Sequence, residues 1–459
     1  MLAIAQIRSS GRARCAGPDG PATSVRPQRP GFAIMAGVSD HRADRIVTVA
    51  VVGAGSRGAG YAAWVAAHPD RARVVAVAEP RPFQREALAA RHGLGADASF
   101  TDWRQLAAAG KVADAVLVCT QDTDHLAPVE AFAALGCDVL VEKPLAPTEA
   151  DCRRLVAAVE EAGVLLAVGH VLRYTPYTDL VKELVDAGRV GEIVSVQHLE
   201  PVGWWHAAHS FVRGNWRRED LSSFMLMAKS CHDVDWLRYV VGVPIERVSS
   251  FGSLLHFRPE QAPEGSAERC LDCAVEPDCP YSAPRLYHRM LDLRGSSWPV
   301  DVITDDHTHE GIDAALRVGP YGRCVYRCDN DVVDHQVVAF ELAGGRTATF
   351  TMTAFTESAD RRTQIFGTRG CIDGNGDKVS VYDFATSQRE TFAVSARGFD
   401  VATGHGGGDA GLMDGFVRAV ATRDASTIRS GPRESLETHL AVFAAERARH
   451  AGTVETVTV

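Results

Sequence analysis

No run of apolar residues approaches the roughly 18–20 that a membrane-spanning helix needs, so the sequence offers no candidate span. Positive charge is also short. The formal net charge is −10, which argues against a nucleic-acid surface, since phosphates must be met by a basic stripe. The first 45 residues contain neither lysine nor glutamate, and carry seven arginines and three aspartates among scattered proline and glycine. Such a segment buries too little apolar surface to offset its ordering entropy. It has no convincing secretory core. An Arg-rich organellar transit peptide and a start misplaced upstream of Met35 are the two readings. The second is preferred, and residues 1–45 are set aside from the fold. Eleven cysteines without a secretory signal are expected to be thiols or metal ligands in a cytoplasmic protein rather than a disulfide framework. Cys119 and Cys137, in strand contexts, read as small buried hydrophobes.

A chain of 459 residues has room for two or three domains. Its most informative element is Gly53-Ala-Gly55-Ser56-Arg57-Gly58, directly behind the apolar run Ile46–Val52 and ahead of a helix-forming stretch. In that context each glycine has a mechanical reason. Gly53 permits the sharp turn, Gly55 lets a pyrophosphate approach backbone, and Gly58 lets the helix pack close to the strand. The helix start offers unpaired N–H groups and a positive dipole end. A second strand, Val74–Ala78, ends in Glu79, where a carboxylate grips the adenosine ribose and repels a 2′-phosphate. NAD is therefore favoured over NADP, although Arg81 leaves some room for the latter.

Strand signals at Val47–Val52, Val74–Ala78, Ala115–Cys119, Asp138–Val141 and Leu165–Val168 alternate with helix signals up to about residue 170. This predicts an α/β architecture: an N-terminal Rossmann doubly wound parallel sheet over 46–170, with ligands at its C-terminal strand ends. Thr120 and His125 follow one of those ends. From 171 to 459 the pattern changes to Ile193–Leu199, Val248–Leu255, Val337–Leu342 and Arg346–Phe355 with glycine punctuation, then two closing helices. A second α+β domain on an open, mostly antiparallel sheet is expected.

Glu142-Lys143-Pro144 closes the strand Asp138–Val141, and Cys231-His232-Asp233-Val-Asp235 comes later. With the Gly53–Gly58 turn, Thr120, His125 and the stretch Asp409–His450, these residues make the chain from Ile46 onward resemble the Gfo/Idh/MocA family of nicotinamide-dependent oxidoreductases. The resemblance implies a Rossmann domain plus an open-sheet domain, a homo-oligomer built through that sheet, and sugar or cyclitol substrates. It also implies an Asp four residues before His232, where this chain has Ala228, with Lys229 beside it. The expected cofactor contacts are Gly53, Gly55, Ser56, Arg57, Gly58, Glu79, Thr120, His125, Glu142 and Lys143.

Oxidising a secondary alcohol requires removal of the hydroxyl proton as hydride leaves carbon. The Lys143 ammonium can orient the oxygen, stabilise alkoxide or relay a proton, or it can simply pair with Glu142. His232 is the candidate base because imidazole titrates near neutral pH; capping or packing a helix is its other reading. Trp204-Trp205-His206-Ala-Ala-His209-Ser-Phe-Val-Arg213-Gly-Asn-Trp216 concentrates sugar-stacking rings with polar groups, and a loop packed at a domain interface would look the same. Arg173, Tyr174, His206, His209 and Lys229 are the expected substrate contacts. His405-Gly-Gly-Gly-Asp409 reads as a lid or a linker.

Cys270-x2-Cys273-x5-Cys279-Pro is a metal-ligand spacing, within an insertion over about 256–330. Cys324 is preferred as the fourth ligand over Cys328 and His256, giving a closed structural zinc site. An iron–sulfur cluster and no metal at all are the alternatives. The functional expectation is an NAD-dependent dehydrogenase acting on a sugar, glycoside or cyclitol hydroxyl. Two alternatives stay open: a glycosidase that uses bound NAD in an oxidation–elimination–reduction cycle, and a non-catalytic sugar or dinucleotide sensor.

Overall fold

The computed structural model describes residues 45–397 and 405–459. The reading of the first 44 residues lies outside them. Six strands form one sheet: β1 (Val47–Val52), β2 (Ala72–Ala78), β3 (Ser99–Phe100), β4 (Ala115–Val118), β5 (Asp138–Val141) and β6 (Leu166–Val168). Their order is β3-β2-β1-β4-β5-β6, with every pair parallel. The order reverses between β1 and β4, which opens a crevice at their C-terminal ends. Strands β4 and β5 are buried throughout, as expected of a sheet covered on both faces.

The second sheet has nine strands in the order β14-β13-β12-β11-β7-β10-β9-β8-β15. They are β7 (Ile193–Pro201), β8 (Ile245–Ser253), β9 (His335–Leu342), β10 (Arg346–Thr353), β11 (Arg362–Gly367), β12 (Gly370–Gly374), β13 (Lys378–Asp383), β14 (Gln388–Ala393) and β15 (Glu455–Thr456). Only β7 and β10 pair in parallel; the other neighbours are antiparallel. One face packs Val196, Val338, Phe340, Phe350, Met352 and Ile365 into the core. The opposite face leaves Val194, Phe251 and Val337 exposed, the alternation of a one-sided sheet. The helix Met225–Val241 lies against the buried face, with Ser230, His232, Asp233 and Asp235 all buried. The expected fold class is the observed one.

The two closing helices, Gly408–Thr422 and Pro432–Ala451, come back onto the N-terminal part of the chain. Leu412, Met413, Phe416 and Val417 share a core with Val47, Val49 and Tyr61. Between β8 and β9 the chain makes an excursion without strands, whose helices Ala283–Arg294 and His309–Val318 build a small core with Trp205, Tyr287 and Leu316.

Candidate active site

The glycine turn after β1 is fixed by sterics. Gly53 has φ +89°, and a Cβ there would stand 2.5 Å from the Cys119 carbonyl oxygen. A Cβ on Gly58 would fall 2.0 Å from the Gly53 carbonyl oxygen. Gly55 differs: a Cβ there would meet only the tip of the Arg81 side chain, at 3.3 Å. Space is thus kept open at the position where a pyrophosphate would touch backbone. The helix Ser56–Ala67 starts at Gly55 without a side-chain cap, so its first N–H groups remain available to an anion.

Glu79, buried at the end of β2, accepts hydrogen bonds from Ala54 N (2.8 Å), Arg81 N (2.9 Å) and Arg81 Nε (2.8 Å). Burial works to raise its pKa, but the bonds from Arg81 and Ala54 outweigh it and hold the carboxyl below its usual value. A fixed carboxylate and a half-exposed Arg81 therefore stand together at the C-terminal end of β2.

Arg57 is not turned toward a phosphate. Its Nε donates to Glu142 Oε1 at 2.8 Å, and its two terminal nitrogens reach Asp409 at 2.8 and 2.9 Å. Tyr61 Oη also donates to Glu142 Oε1 at 2.6 Å. Of the expected cofactor contact at Arg57, only the backbone remains free for that role, because the guanidinium is spent on two carboxylates. Burial would raise the pKa of Glu142, yet the Arg57 charge and the Tyr61 hydroxyl keep it low. Glu142 thereby anchors the start of the Lys143–Pro144 turn. His125, also buried, holds the other side of that turn by donating from Nδ1 to the Pro144 carbonyl at 2.7 Å. Thr120 Oγ1 donates to the Asp124 carbonyl at 2.9 Å.

Lys143 projects from the end of β5 to the helix Met225–Val241, where Nζ donates to the Ala228 carbonyl oxygen at 2.6 Å. No carboxylate ion-pairs with it among the described residues, Glu142 included. One turn along the same helix, His232 Nε2 lies 2.7 Å from Arg361 Nη2. A guanidinium can only donate, so Nε2 accepts from Arg361 when the ring proton sits on Nδ1; the same Nε2 also stands 3.3 Å from Asp233 Oδ2. Nδ1 is buried and has no hydrogen-bond partner among the described residues. Position 228 lies one turn before His232 on the same helix face, and there Ala228 offers the ring no polar partner. Burial and the Arg361 and Lys143 charges hold the imidazole well below its usual pKa, against the opposing pull of Asp233.

Arg361 was not foreseen from the sequence. It ion-pairs through Nε with Glu200 at 2.6 Å and Asp233 at 2.8 Å. Lys229 Nζ reaches the other Glu200 oxygen at 3.0 Å. Burial lowers the Lys229 pKa, and Glu200 only partly restores it. His206 faces this cluster: burial first, then the Lys229 charge, pushes its pKa well down. Lys143, His232, Lys229, Arg361 and His206 thus converge.

Three expected substrate contacts are committed elsewhere. Arg173 is fully buried and gives Nε and Nη2 to Asp235 at 2.6 and 2.7 Å, with Nη1 to Glu434. Its charge locks the closing helix to the Met225–Val241 helix. Tyr174 Oη accepts from the backbone of Arg429 (2.7 Å) and Ser430 (3.1 Å). His209 is buried, stacks on Tyr321 with ring centroids 4.8 Å apart, and meets Tyr287 Oη at 3.0 Å. Each of the three thus gives polar atoms to a partner within the protein.

The four expected metal ligands, Cys270, Cys273, Cys279 and Cys324, line one pocket. Their sulfurs are not drawn together as a single ion would require. Among the described residues the one group of three ligand atoms all within 4.8 Å of one another is Glu219, Glu446 and His450. The zinc expectation is thus not met in the form of a closed tetrahedral cage.

Residues 47–170 match the model of an oxidoreductase family described by its NAD-binding Rossmann fold, and residues 182–456 match that family's C-terminal alpha/beta domain. YteT of Bacillus subtilis (strain 168), named as an oxidoreductase, is 26% identical over 319 residues, covering 66% of this chain and 71% of its own. Inositol 2-dehydrogenase 1 of Saccharopolyspora erythraea is 33% identical over 205 residues, 44% of this chain and 57% of that protein. The chain therefore spans little more than half the length of that dehydrogenase. In fold, the WlbA dehydrogenase of Bordetella pertussis, solved with NADH and UDP-GlcNAcA, superposes with TM-score 0.66 at 20% identity over 91% of this chain and 99% of its own. A levoglucosan dehydrogenase solved with NADH gives TM-score 0.67 at 18% identity over 90% and 100%. No helix among the described residues is long and apolar enough to cross a membrane.

Proposed function

The chain belongs to the Gfo/Idh/MocA oxidoreductase family, and we propose that it is an NAD-dependent dehydrogenase taking hydride from a secondary hydroxyl of a sugar, glycoside or cyclitol. The observation that carries this reading is Lys143: an ammonium at the C-terminal edge of the parallel sheet, held by one backbone carbonyl and, among the described residues, by no carboxylate. Such a cation is free to exchange its carbonyl for a substrate oxygen and to stabilise that oxygen as it becomes alkoxide. The nicotinamide, when bound, accepts the hydride.

The residues that fit the cofactor are the uncapped helix start at Gly55 and Ser56, the bare Gly53 and Gly58, and Glu79 at the ribose. Glu142, His125 and Thr120 shape the turn that presents Lys143. His232 takes the hydroxyl proton at Nε2 once Arg361 shifts its donor to the substrate. Until then the lone pair is occupied. Lys229 and His206 orient the substrate from the opposite side. NAD over NADP follows from the carboxylate of Glu79. A homo-oligomer through the uncovered face of the nine-stranded sheet, around Val194, Phe251 and Val337, and a cytoplasmic location complete the reading.

A panel of sugars, cyclitols and aryl glycosides with NAD tests it, following NADH absorbance and product release together. NADH formation on at least one alcohol is the expected result. Aglycone release without net NADH would replace the dehydrogenase with a redox-neutral glycosidase. NAD binding with neither reaction would leave a sensor.

A further inference from the structure

We propose that Cys270, Cys273, Cys279 and Cys324 hold a structural metal centre through four thiolates, independently of the hydride chemistry. The fold brings them together from distant parts of the chain. An antiparallel bridge between Arg269 and Arg323, with Cys324 N donating to the Glu268 carbonyl at 2.9 Å, sets Cys270 beside Cys324. The tight turns 270–273 and 276–279 then bring Cys273 and Cys279 to the same pocket.

Each sulfur faces an N–H donor. Arg213 Nη2 is 3.5 Å from Cys270 Sγ, and Ala267 N is 3.5 Å from Cys273 Sγ. The backbone N–H of Tyr281 faces Cys279 two residues before it, and that of Tyr326 faces Cys324 in the same relation. Neutral thiols are weak acceptors, whereas metal-bound thiolates are tuned by hydrogen bonds of this kind.

The stronger observation is Arg213. It is 1% exposed, its Nη1 has no hydrogen-bond partner, and no carboxylate ion-pairs with it among the described residues. Its hydrogen-bonding neighbours are the carbonyls of Arg323 and Tyr281, the Cys270 sulfur and the Tyr287 hydroxyl, none of them a carboxylate. A buried cation without an anion is costly. A centre with four thiolate ligands carries a net double negative charge and supplies the missing anion at the pocket that Arg213 lines. Cys328 is not among the residues that line this pocket, its thiol donating to the Cys324 carbonyl at 3.3 Å, and His256 Nε2 faces Tyr326 Oη at 3.2 Å.

Zinc and an iron–sulfur cluster share this chemistry. A single tetrahedral zinc, with zinc–sulfur bonds of about 2.3 Å, would hold the sulfurs roughly 3.8 Å apart. No three of them lie within 4.8 Å of one another, so zinc requires the turns to contract. A cubane places its irons between the thiolates and takes them at wider spacing. In either case the four thiols release their protons on binding. The centre would clamp the strandless excursion against Trp205 and the His206 segment.

The test is metal and acid-labile sulfide content of the full chain purified without oxygen. About one zinc per chain, or about four irons with matching sulfide, supports the centre and names it. Cys273→Ser should lower the bound metal about tenfold. Should that variant fail to fold, thiol counting on the wild type serves instead: four thiols should resist a thiol reagent until the metal is stripped. Less than about a tenth of an equivalent of metal, both as purified and after incubation with zinc or with iron and sulfide, overturns the proposal. So does immediate reaction of those four thiols.

Discussion

Arg361 Nη2 stands 2.7 Å from His232 Nε2, so the nitrogen best placed to take a proton is already bonded to a cation. Arg361 also depresses the affinity of that imidazole for a proton. Replacing Arg361 with lysine, which cannot reproduce the fork between Glu200, Asp233 and His232, should lower kcat/KM about 10- to 100-fold, a loss of roughly 1.4–2.7 kcal/mol of transition-state binding. Ala228→Asp approaches the same ring from its unpartnered Nδ1. It should raise the apparent pKa on the acid limb of the kcat/KM profile. An unmoved acid limb in Ala228→Asp would mean that His232 does not titrate in the reaction.

Under the proposed mechanism, Lys143→Ala removes the group that would stabilise the alkoxide. The expected loss in kcat is about 10²- to 10⁴-fold, with NADH affinity by fluorescence changed little. A variant retaining most of its turnover would remove Lys143 from the reacting centre.

At the ribose end, Glu79→Ala leaves Arg81 without its carboxylate and uncovers a guanidinium suited to a 2′-phosphate. Loss of charged hydrogen bonds worth roughly 1.5–3 kcal/mol predicts a 10- to 100-fold rise in the KM for NAD. The KM for NADP should fall. Cofactor titrations on the purified variant measure both, and an unchanged NAD/NADP ratio would refute the assignment.

Several histidines are buried in neutral form, and they set an acid limit on stability. Burial lowers His439 to about 4 and His209 to about 3, and pushes His170 and His232 well below the usual range. Their folded-state pKa values lie under the unfolded value of about 6.5. Between the two, the unfolded chain binds more protons, so stability is full above about pH 6.5 and falls as the pH drops toward 4. Each such histidine contributes a slope of up to about 1.4 kcal/mol per pH unit. Urea unfolding at pH 7.5 and 5.0 should show the loss. Equal midpoints would contradict it.

Much of the fold was readable because it is carried by steric and periodic signals. Gly53 and Gly58 are required by backbone contacts of 2.5 and 2.0 Å, and such requirements leave a spacing in the sequence. The buried strands β4 and β5 show as apolar runs for the same reason. Strands β11 to β14 were not anticipated: they are short, glycine-bounded and largely polar, and β14 is exposed nearly throughout. Arg361 was equally hidden, since nothing beside it in the sequence points to its partners Glu200 and Asp233. Arg173 and His209 misled in the opposite direction. A charged or imidazole side chain beside a cleft residue resembles a ligand, and only the partners Asp235 and Tyr287, 62 and 78 residues away in sequence, reveal a structural use.

Arg57 and Asp409 are 352 residues apart, and their ion pair has a consequence for how this molecule can be taken apart. The helix that would cradle the pyrophosphate is braced by the Gly408–Thr422 helix, whose Phe416 and Leu412 fill the space beside β1. Val168 N, at the end of β6, donates to the Ser430 carbonyl. The nucleotide-binding half is therefore completed by residues translated long after it. A ribosome-bound chain lacking them would display its glycine turn on an unfinished scaffold, and a graft of residues 46–170 into another protein would carry an uncovered apolar flank.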